Sequence, residues 1–356
     1  MKTHKSLIKA LLVFVLTLIL FVMSTYRYGL SPVSRDSKLI EIEVKEGTTT
    51  KELANTLKEQ NLIKSKNSFY IYIKLNHINI KASTYNLSKN MGVKKIAKEL
   101  DKGNNYNPNS VRITFQEGIN MRRVAKIIAN NTNNTYDIVL QKSNDSEFLN
   151  RIIKKYWFLT DDILNEDIYY KLEGYLYPDT YEFSSKYVTV EDIFEKMLDN
   201  EEKVLNKYKE YIYKHNYNVH EIITIASICE LEGGEKYRKD IAGVFYNRLD
   251  IGMNLGSDVT TYYGAKIDMN ERDINTEEIN KANAYNTRSN TLNGKLPVGP
   301  ISNPDKSSIE AAIYPNKHKY YYFVADKHKR VYFTKTGEEH FKKIEEIKRK
   351  GDWIEW

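Results

Sequence analysis

The sequence predicts an α+β protein held behind a single N-terminal transmembrane helix, and three observations carry that prediction. Residues 10–26 are free of charge and mostly Leu, Val, Ile and Phe. A strand–turn–helix phrase recurs before residue 150, and from about residue 185 helical periodicity gives way to a turn-rich stretch and a closing hairpin pattern.

The apolar run lies at the short end of what crosses a bilayer core, and Leu7 and Ile8 extend it if Lys9 snorkels. Lys2, Lys5 and Lys9 precede it and Tyr26 and Tyr28 follow, which orients the N-terminus to the cytoplasm and the rest of the chain outward across the cell membrane. No small-x-small cleavage site follows, so a retained anchor is favoured over a signal peptide. The expected organisation is a cytoplasmic N-terminus at 1–9, an anchor at 10–28, a Ser- and Pro-containing linker at 29–37, an α+β region at 38–150, a second domain at 151–345 and a tail at 346–356.

Within 38–150, residues 39–44 alternate as a half-buried strand, Gly47 supplies a turn, Thr49 or Thr50 caps a helix, and Leu53, Ala54 and Leu57 form its apolar stripe. The phrase returns 71 residues later as the strand 111–115, the turn Glu117 and Gly118, and the stripe Val124, Ala125 and Ile128. A weaker copy runs through 83–87, Met91, Gly92, and then Ile96, Ala97 and Leu100. Units of this size resemble LysM-type glycan-binding modules; an α+β packing domain without a ligand fits the pattern equally. Asn-rich connectors stand at 104–110 and 130–135. Further on, Thr189 caps a helix over 190–197, another spans 220–232, and glycines and prolines punctuate the chain beyond 250. Strands at 319–324 and 330–334 read as a hairpin before a C-terminal helix at 342–350.

Composition narrows the chemistry. With 41% apolar residues, 28 Tyr and 12 Phe, the chain fills more than one core. The formal charge of +7 is spread without a run of five or six like charges, so nucleic acid is not indicated; it suits an anionic envelope surface or a simple solvated basic face. Cys229 stands alone, which excludes an intrachain disulfide, and no two of the seven His share a three- or four-residue spacing, so neither metal nor cofactor is expected.

On a helical wheel, Ile222, Ile223, Ile225, Ala226, Ile228 and Cys229 fill one broad arc. Glu232 falls inside it, four residues after Ile228 and three after Cys229, while Glu230 lies nearer its edge. Burial raises a carboxyl pKa, as a general acid working near neutral pH requires. A cap or a salt bridge to Arg238 or Arg248 suits the same position, and the wheel leaves both open. Cys229, on the apolar face with only His220 near it in sequence, reads as a packed residue rather than a nucleophile.

These residues also carry a resemblance. IASICELE at 225–232 and DIAGVFYNRL at 240–249 are followed by Gly252, Met253, Leu255, Ser257, Asp258, Thr260, Tyr263 and Gly264; together with LEGYLYPDTYEF at 172–183, AYNT at 284–287, LPVGPI at 296–301, Asn303, Pro304 and YFVAD at 322–326, they resemble the YceG-like (MltG) endolytic transglycosylases. The blocks keep the family's order from about 40 to 340.

The resemblance implies a lysozyme-like, YceG-like catalytic domain. It also implies endolytic cleavage of the bond between N-acetylmuramic acid and N-acetylglucosamine in nascent peptidoglycan, leaving 1,6-anhydromuramyl ends. The family's catalytic glutamate is the second of the Glu-x-Glu pair, here Glu232, which precedes Gly233 much as the catalytic Glu of goose-type lysozyme-like transglycosylases precedes Ser. Supporting contacts fall to Glu173, Asn247, Asp258, Thr260, Tyr285, Asn286 and Asn303, with Asp179 beside them; each has a plainer rival as turn, cap or core residue. Gly256, Val259 and Val298 depart from the family pattern without removing an acid or base. Implied partners are glycan strands, the membrane, and penicillin-binding proteins or other glycan polymerases. The competing reading is a non-catalytic, membrane-anchored scaffold that binds wall glycan.

Overall fold

The computed structural model describes residues 2–45, 47–103 and 110–353, with the side chains of the first ten left aside. The side chains of Lys2, Lys5 and Lys9, expected to orient the anchor, most of the connector expected at 104–110, and the last three residues of the expected tail therefore lie outside what is described. The chain divides into two compact units, Met1–Ser110 and Val111–Trp356.

The first unit holds α1 (Lys2–Leu30), β1 (Leu39–Val44), α2 (Thr50–Glu59), α3 (Lys66–Leu75), β2 (Ser83–Ser88) and α4 (Val93–Lys102). β1 and β2 pair antiparallel from Leu39 opposite Ser88 to Val44 opposite Ser83, and Ile42 and Val44 turn inward onto Leu53, Leu57, Phe69, Tyr85, Leu87, Ile96 and Leu100. α2 begins on a capping box: the Thr49 side chain accepts the Glu52 N–H, and the Glu52 carboxylate accepts the Thr49 N–H at 2.8 Å. The stretch Leu11–Leu30 of α1 is long and apolar enough to cross a membrane.

Residues 29–37, expected as a free linker, are built into this unit. Helix α1 continues to Leu30, and Gly29 is buried where a Cβ would lie 2.1 Å from the Ser68 Oγ of α3. Beyond it, the Ser34 N–H donates to the Lys89 carbonyl at 3.1 Å, and the Asn90 N–H to the Asp36 carbonyl at 3.0 Å. Small residues at the contact let the helices approach closely, and backbone bonds then fix the exit of the chain.

The second unit runs β3 (Val111–Thr114), α5 (Met121–Asn131), α6 (Tyr136–Lys142), α7 (Ser146–Lys155), β4 (Thr180–Phe183), α8 (Val190–Leu205), α9 (Lys209–Ile212), α10 (Val219–Glu232), α11 (Arg238–Asp250), α12 (Asp258–Gly264), α13 (Thr276–Asn280), α14 (Lys306–Ile313), β5 (Tyr322–Ala325), β6 (Val331–Thr334) and α15 (Gly337–Arg349). The repeat copy at 111–128 forms the expected strand and helix, but β3 pairs antiparallel with β4, and the contacts divide the chain at 110, at the end of the first Asn-rich connector, rather than at 150, where the second domain was expected to begin. β5 and β6 form the expected hairpin. The C-terminal helix starts five residues earlier than its pattern suggested, on a capping box of Thr336 and Glu339.

At the centre of this unit is α10, buried at every position from Ile222 to Cys229. The wheel suggested one apolar arc; the structure encloses the helix on all sides, as a core helix must be. Its polar residues are satisfied locally. Thr224 Oγ1 donates to the His220 carbonyl, Ser227 Oγ to the Thr224 carbonyl, and the His220 ring bonds the Tyr175 hydroxyl and the Val298 carbonyl.

Two outcomes follow from this packing. Gly29→Leu forces a side chain into Ser68 and destabilises the first unit by about 1–3 kcal/mol, read as faster hydrogen exchange across residues 39–102 of the detergent-solubilised chain; unchanged exchange would show that the junction is loose. Glu201 on α8 is fully buried, its carboxyl oxygens have no hydrogen-bond partner among the described residues, and burial pushes its pKa well above the ordinary 4.5. The folded state thus keeps a proton that the unfolded chain releases, and this group lowers stability as pH rises above that value. Relative to the parent, Glu201→Gln gains stability progressively as pH rises above the ordinary 4.5 in urea titrations, whereas a constant offset would place an ionised carboxylate in the fold.

Candidate active site

Two carboxyls stand at the C-terminal end of α10, and their surroundings divide their roles. Glu230 is spent on structure. Its Oε1 pairs with Arg238 Nη2 at 2.6 Å, and its Oε2 accepts the Asp305 N–H at 2.9 Å and the Ser308 hydroxyl at 2.8 Å. The pair is buried, with side-chain exposures of 6% for Glu230 and 9% for Arg238, and Arg238 also bonds Asp305 at 2.6 Å. Glu230 therefore clamps the start of α14 and the start of α11 onto the core helix.

Glu232 has a sparser environment. α10 ends on it because Gly233 adopts an extended conformation, and a Cβ at Gly233 would come within 2.5 Å of Ile241. The residue is half-buried, and its Oε1 accepts the Ser257 hydroxyl. Burial raises its pKa to about 7; the Ser257 bond works against that rise, Asp258 adds to it, and Arg288 and Arg248 oppose it from a distance. A carboxyl balanced near neutrality can both give up and accept a proton.

The floor of this site is built around α12. Ser257 directly precedes the helix, with its N–H on Thr287 Oγ1 at 3.0 Å. Thr260 Oγ1 donates to the Ser257 carbonyl at 2.7 Å and lies 2.8 Å from Thr287 Oγ1, while Thr261 donates to Asn286 Oδ1 at 2.8 Å. At the other end of α12 the Tyr263 hydroxyl donates to Glu173 Oε2 at 2.9 Å. Glu173 also accepts the Met121 N–H, the first of α5, at 2.9 and 3.0 Å, and burial holds its pKa at about 7.

Of the residues expected to contact a ligand, Glu232 and Asp258 come together at the surface. Asp258 is exposed and paired with Arg288. Asn247 is half-buried and ties α11 to the chain before β5, donating to the carbonyls of His318 and Tyr320 at 2.9 Å. Thr260, Tyr285, Asn286, Asn303 and Glu173 are all 1% exposed or less, so they shape the site from beneath rather than lining it. Tyr285 packs against Tyr169 and Tyr263 at 4.8 and 4.7 Å between ring centres. Asn286 donates to the carbonyls of Ile279 and Lys281, and Asn303 joins Leu176 to Ile119. Asp179 bonds the Thr180 N–H and Asn200, as turn chemistry suggests.

Ser257, Thr287, Arg248 and Arg288 were not singled out as site residues. The available signal was a serine one residue before a helix that itself begins with Asp258, and it reads from sequence as an ordinary cap. Two surface concavities, one around Glu147, Arg151 and Lys155 and one around Asp161, Glu166 and His220, are lined by none of the site residues. Among the described residues no three His, Cys, Asp or Glu side chains gather as a metal site.

Comparison with known proteins adds a second line of evidence. The model of the YceG-like family matches residues 42–346. An endolytic murein transglycosylase of Bacillus subtilis is 35% identical over 91% of this chain and 90% of its own length. Its counterpart in Streptococcus pneumoniae is 33% identical over 90% of this chain, which spans 61% of that longer protein. The crystal structure of a YceG-like protein from Listeria monocytogenes superposes with a TM-score of 0.62 at 36% identity, covering 85% of this chain and 98% of that one.

The clamp at Glu230 has a measurable consequence. Glu230→Gln keeps the side-chain volume but leaves Arg238 with half its buried countercharge, and the expected loss is about 3 kcal/mol in chemical denaturation. A loss below about 0.5 kcal/mol, the range of a solvated surface change, would mean that Glu230 does not hold α11 and α14 to the core.

Proposed function

This chain belongs to the YceG-like family, and from that premise we propose that it is an endolytic murein transglycosylase, a lyase that cuts peptidoglycan glycan strands with Glu232 as its single acid and base. The observation that carries the residue assignment is the contrast at the end of α10: Glu230 is held by three bonding groups, whereas Glu232 has one hydroxyl partner, partial exposure and a pKa near 7.

The chemistry asks for one carboxyl because the substrate supplies the nucleophile. Protonated Glu232 gives its proton to the oxygen linking N-acetylmuramic acid to N-acetylglucosamine, and that C–O bond breaks. The carboxylate then takes the proton of the muramyl C6 hydroxyl as O6 closes on C1, which restores the acid and leaves a 1,6-anhydromuramyl end. Glycosidases that use water need two carboxyl groups flanking the bond; an internal hydroxyl removes that need. Asp258, Arg288 and Asn247 are the polar groups closest to the surface for holding the sugar, and the buried set of Glu173, Thr260, Tyr285, Asn286 and Asn303 keeps them in place.

The remainder of the chain fits an enzyme acting on newly made wall. α1 serves as a single-pass anchor with the chain after it outside the cell, the region that follows acts as a LysM-like module that holds glycan, and the second unit has a lysozyme-like role. Cleavage close to the membrane ends strand growth, next to penicillin-binding proteins or other glycan polymerases.

Mass spectrometry of products from uncross-linked nascent glycan and the full-length protein in detergent tests the reading. Anhydromuramyl ends are expected; primary products ending in reducing muramic acid would make the enzyme a hydrolase. Glu232→Gln lowers the cleavage rate by about 10²–10⁴-fold with an unchanged melt, and near-parental cleavage by that variant would remove Glu232 from the chemistry.

A further inference from the structure

Serine is among the residues that best cap a helix, because its hydroxyl accepts a free N–H of the first turn. Ser257 occupies the N-cap position of α12 and makes no such bond. Its hydroxyl is turned away and donates to Glu232 Oε1. Ten other α-helices among the described residues, from α2 to α15, do start on a side chain that accepts an N–H, among them Thr49, Asn120, Thr189, Asn218, Asp305 and Thr336. At Ser257 the capping role has been given up for a contact with one carboxyl.

The surroundings leave that hydroxyl little choice. Ser257 is 3% exposed, its N–H is fixed on Thr287 and its carbonyl on Thr260, and those two threonines bond each other. The Gly256 N–H donates to the Thr287 carbonyl at 3.2 Å, and Gly256 takes a positive φ of 59° that steers the chain into this corner. The backbone of Ser257 is therefore held from both sides, and only its hydroxyl is directed at α10.

We infer that Ser257 is a positioning residue for Glu232, engaging one carboxyl oxygen so that the acidic proton resides on the other, Oε2, toward the substrate. This rests on the reading of Glu232 as the acid. When Glu232 has given up its proton, the same hydroxyl donates to the carboxylate and stabilises the charged form that must next accept the C6 proton. The titratable and charged groups around the Glu232 carboxyl are Asp258 on α12, Arg248 on α11, Arg288 after α13 and Cys229 on α10 itself. Arg248 is engaged elsewhere, its Nε on the Tyr321 carbonyl and its Nη1 on the Leu255 carbonyl, and Arg288 is paired with Asp258. Cys229 is buried, and burial holds its thiol in the neutral form. Ser257 is thus the one direct donor to the Glu232 carboxyl among the described residues.

The test is a carboxyl titration that needs no substrate. Full-length protein labelled with ¹³C at the glutamate side-chain carboxyls is titrated in detergent, and the Glu232 signal is identified by its loss in Glu232→Gln. In Ser257→Ala the charged form loses a donor, so the midpoint rises, by about one pH unit for one hydrogen bond to a charged group. The alkaline limb of the cleavage profile, where the acid loses its proton, moves up with it. The melting temperature stays close to the parent's, because no cap is lost. Ser257→Thr keeps a hydroxyl and titrates like the parent. An unchanged midpoint in folded Ser257→Ala overturns the inference, as does a Thr variant displaced as far as the Ala variant. Parental cleavage by Glu232→Gln would instead overturn the functional reading, a result distinguishable from either of these.

Discussion

Everything in the second unit depends on α10 being buried all round while it ends in two carboxyls. A helix C-terminus carries a partial negative charge, and a carboxylate placed there is disfavoured by a few tenths to about 1 kcal/mol even before burial is counted. The fold answers this constraint in two different ways two residues apart. At Glu230 it brings in Arg238, the Asp305 N–H and the Ser308 hydroxyl, and uses the resulting cluster to fasten α11 and α14. At Glu232 it leaves the difficulty largely in place, opposed by one serine, so the group sits near neutrality in its affinity for a proton.

α12 connects this end of the core helix to the rest of the unit. Although only seven residues long, it meets Glu232 through Ser257 at its start, the 286–287 segment through Thr260 and Thr261, and Glu173 through Tyr263 at its end. Through Glu173 the connection reaches the first N–H of α5, the helix that follows β3, which is the strand paired with β4. A fully satisfied buried polar network of this kind is rigid because each lost partner leaves a costly unpaired group. That rigidity is what a single carboxyl needs if it is to face two different oxygens of a substrate in turn.

Much of the local structure was legible in the sequence. The Thr49 and Thr189 caps, the stripes of Leu53, Ala54 and Leu57 and of Val124, Ala125 and Ile128, and the closing hairpin follow from periodicity and turn chemistry over a few residues. Non-local pairing was not: nothing within 111–115 indicates that its partner is 180–183, so the repeat was grouped with the first region. The candidate contacts show a related limit. Thr260, Asn286 and Asn303 are polar residues in irregular chain and suggest ligand binding, but irregular backbone that is buried must also be hydrogen-bonded, and that is where these side chains are used. Sequence places both kinds of polar residue in loops, and only exposure separates them.

Exposure also separates the two carboxyls whose pKa values lie near 7. Glu173 occupies the favourable place for a negative charge, at the N-terminus of α5 with an N–H and a phenol donating to it, yet burial outweighs these and holds its pKa at about 7. Desolvation therefore decides the outcome at both ends of the network. Equal proton affinity therefore does not imply equal chemistry. Glu173 is 1% exposed and committed to α5 and α12, so no glycosidic oxygen reaches it, whereas Glu232 ends its helix partly open with Oε2 unclaimed by any hydrogen bond among the described residues. Under the proposed function, access selects Glu232 over Glu173 as the acid, once burial has made both groups capable of holding a proton at neutral pH.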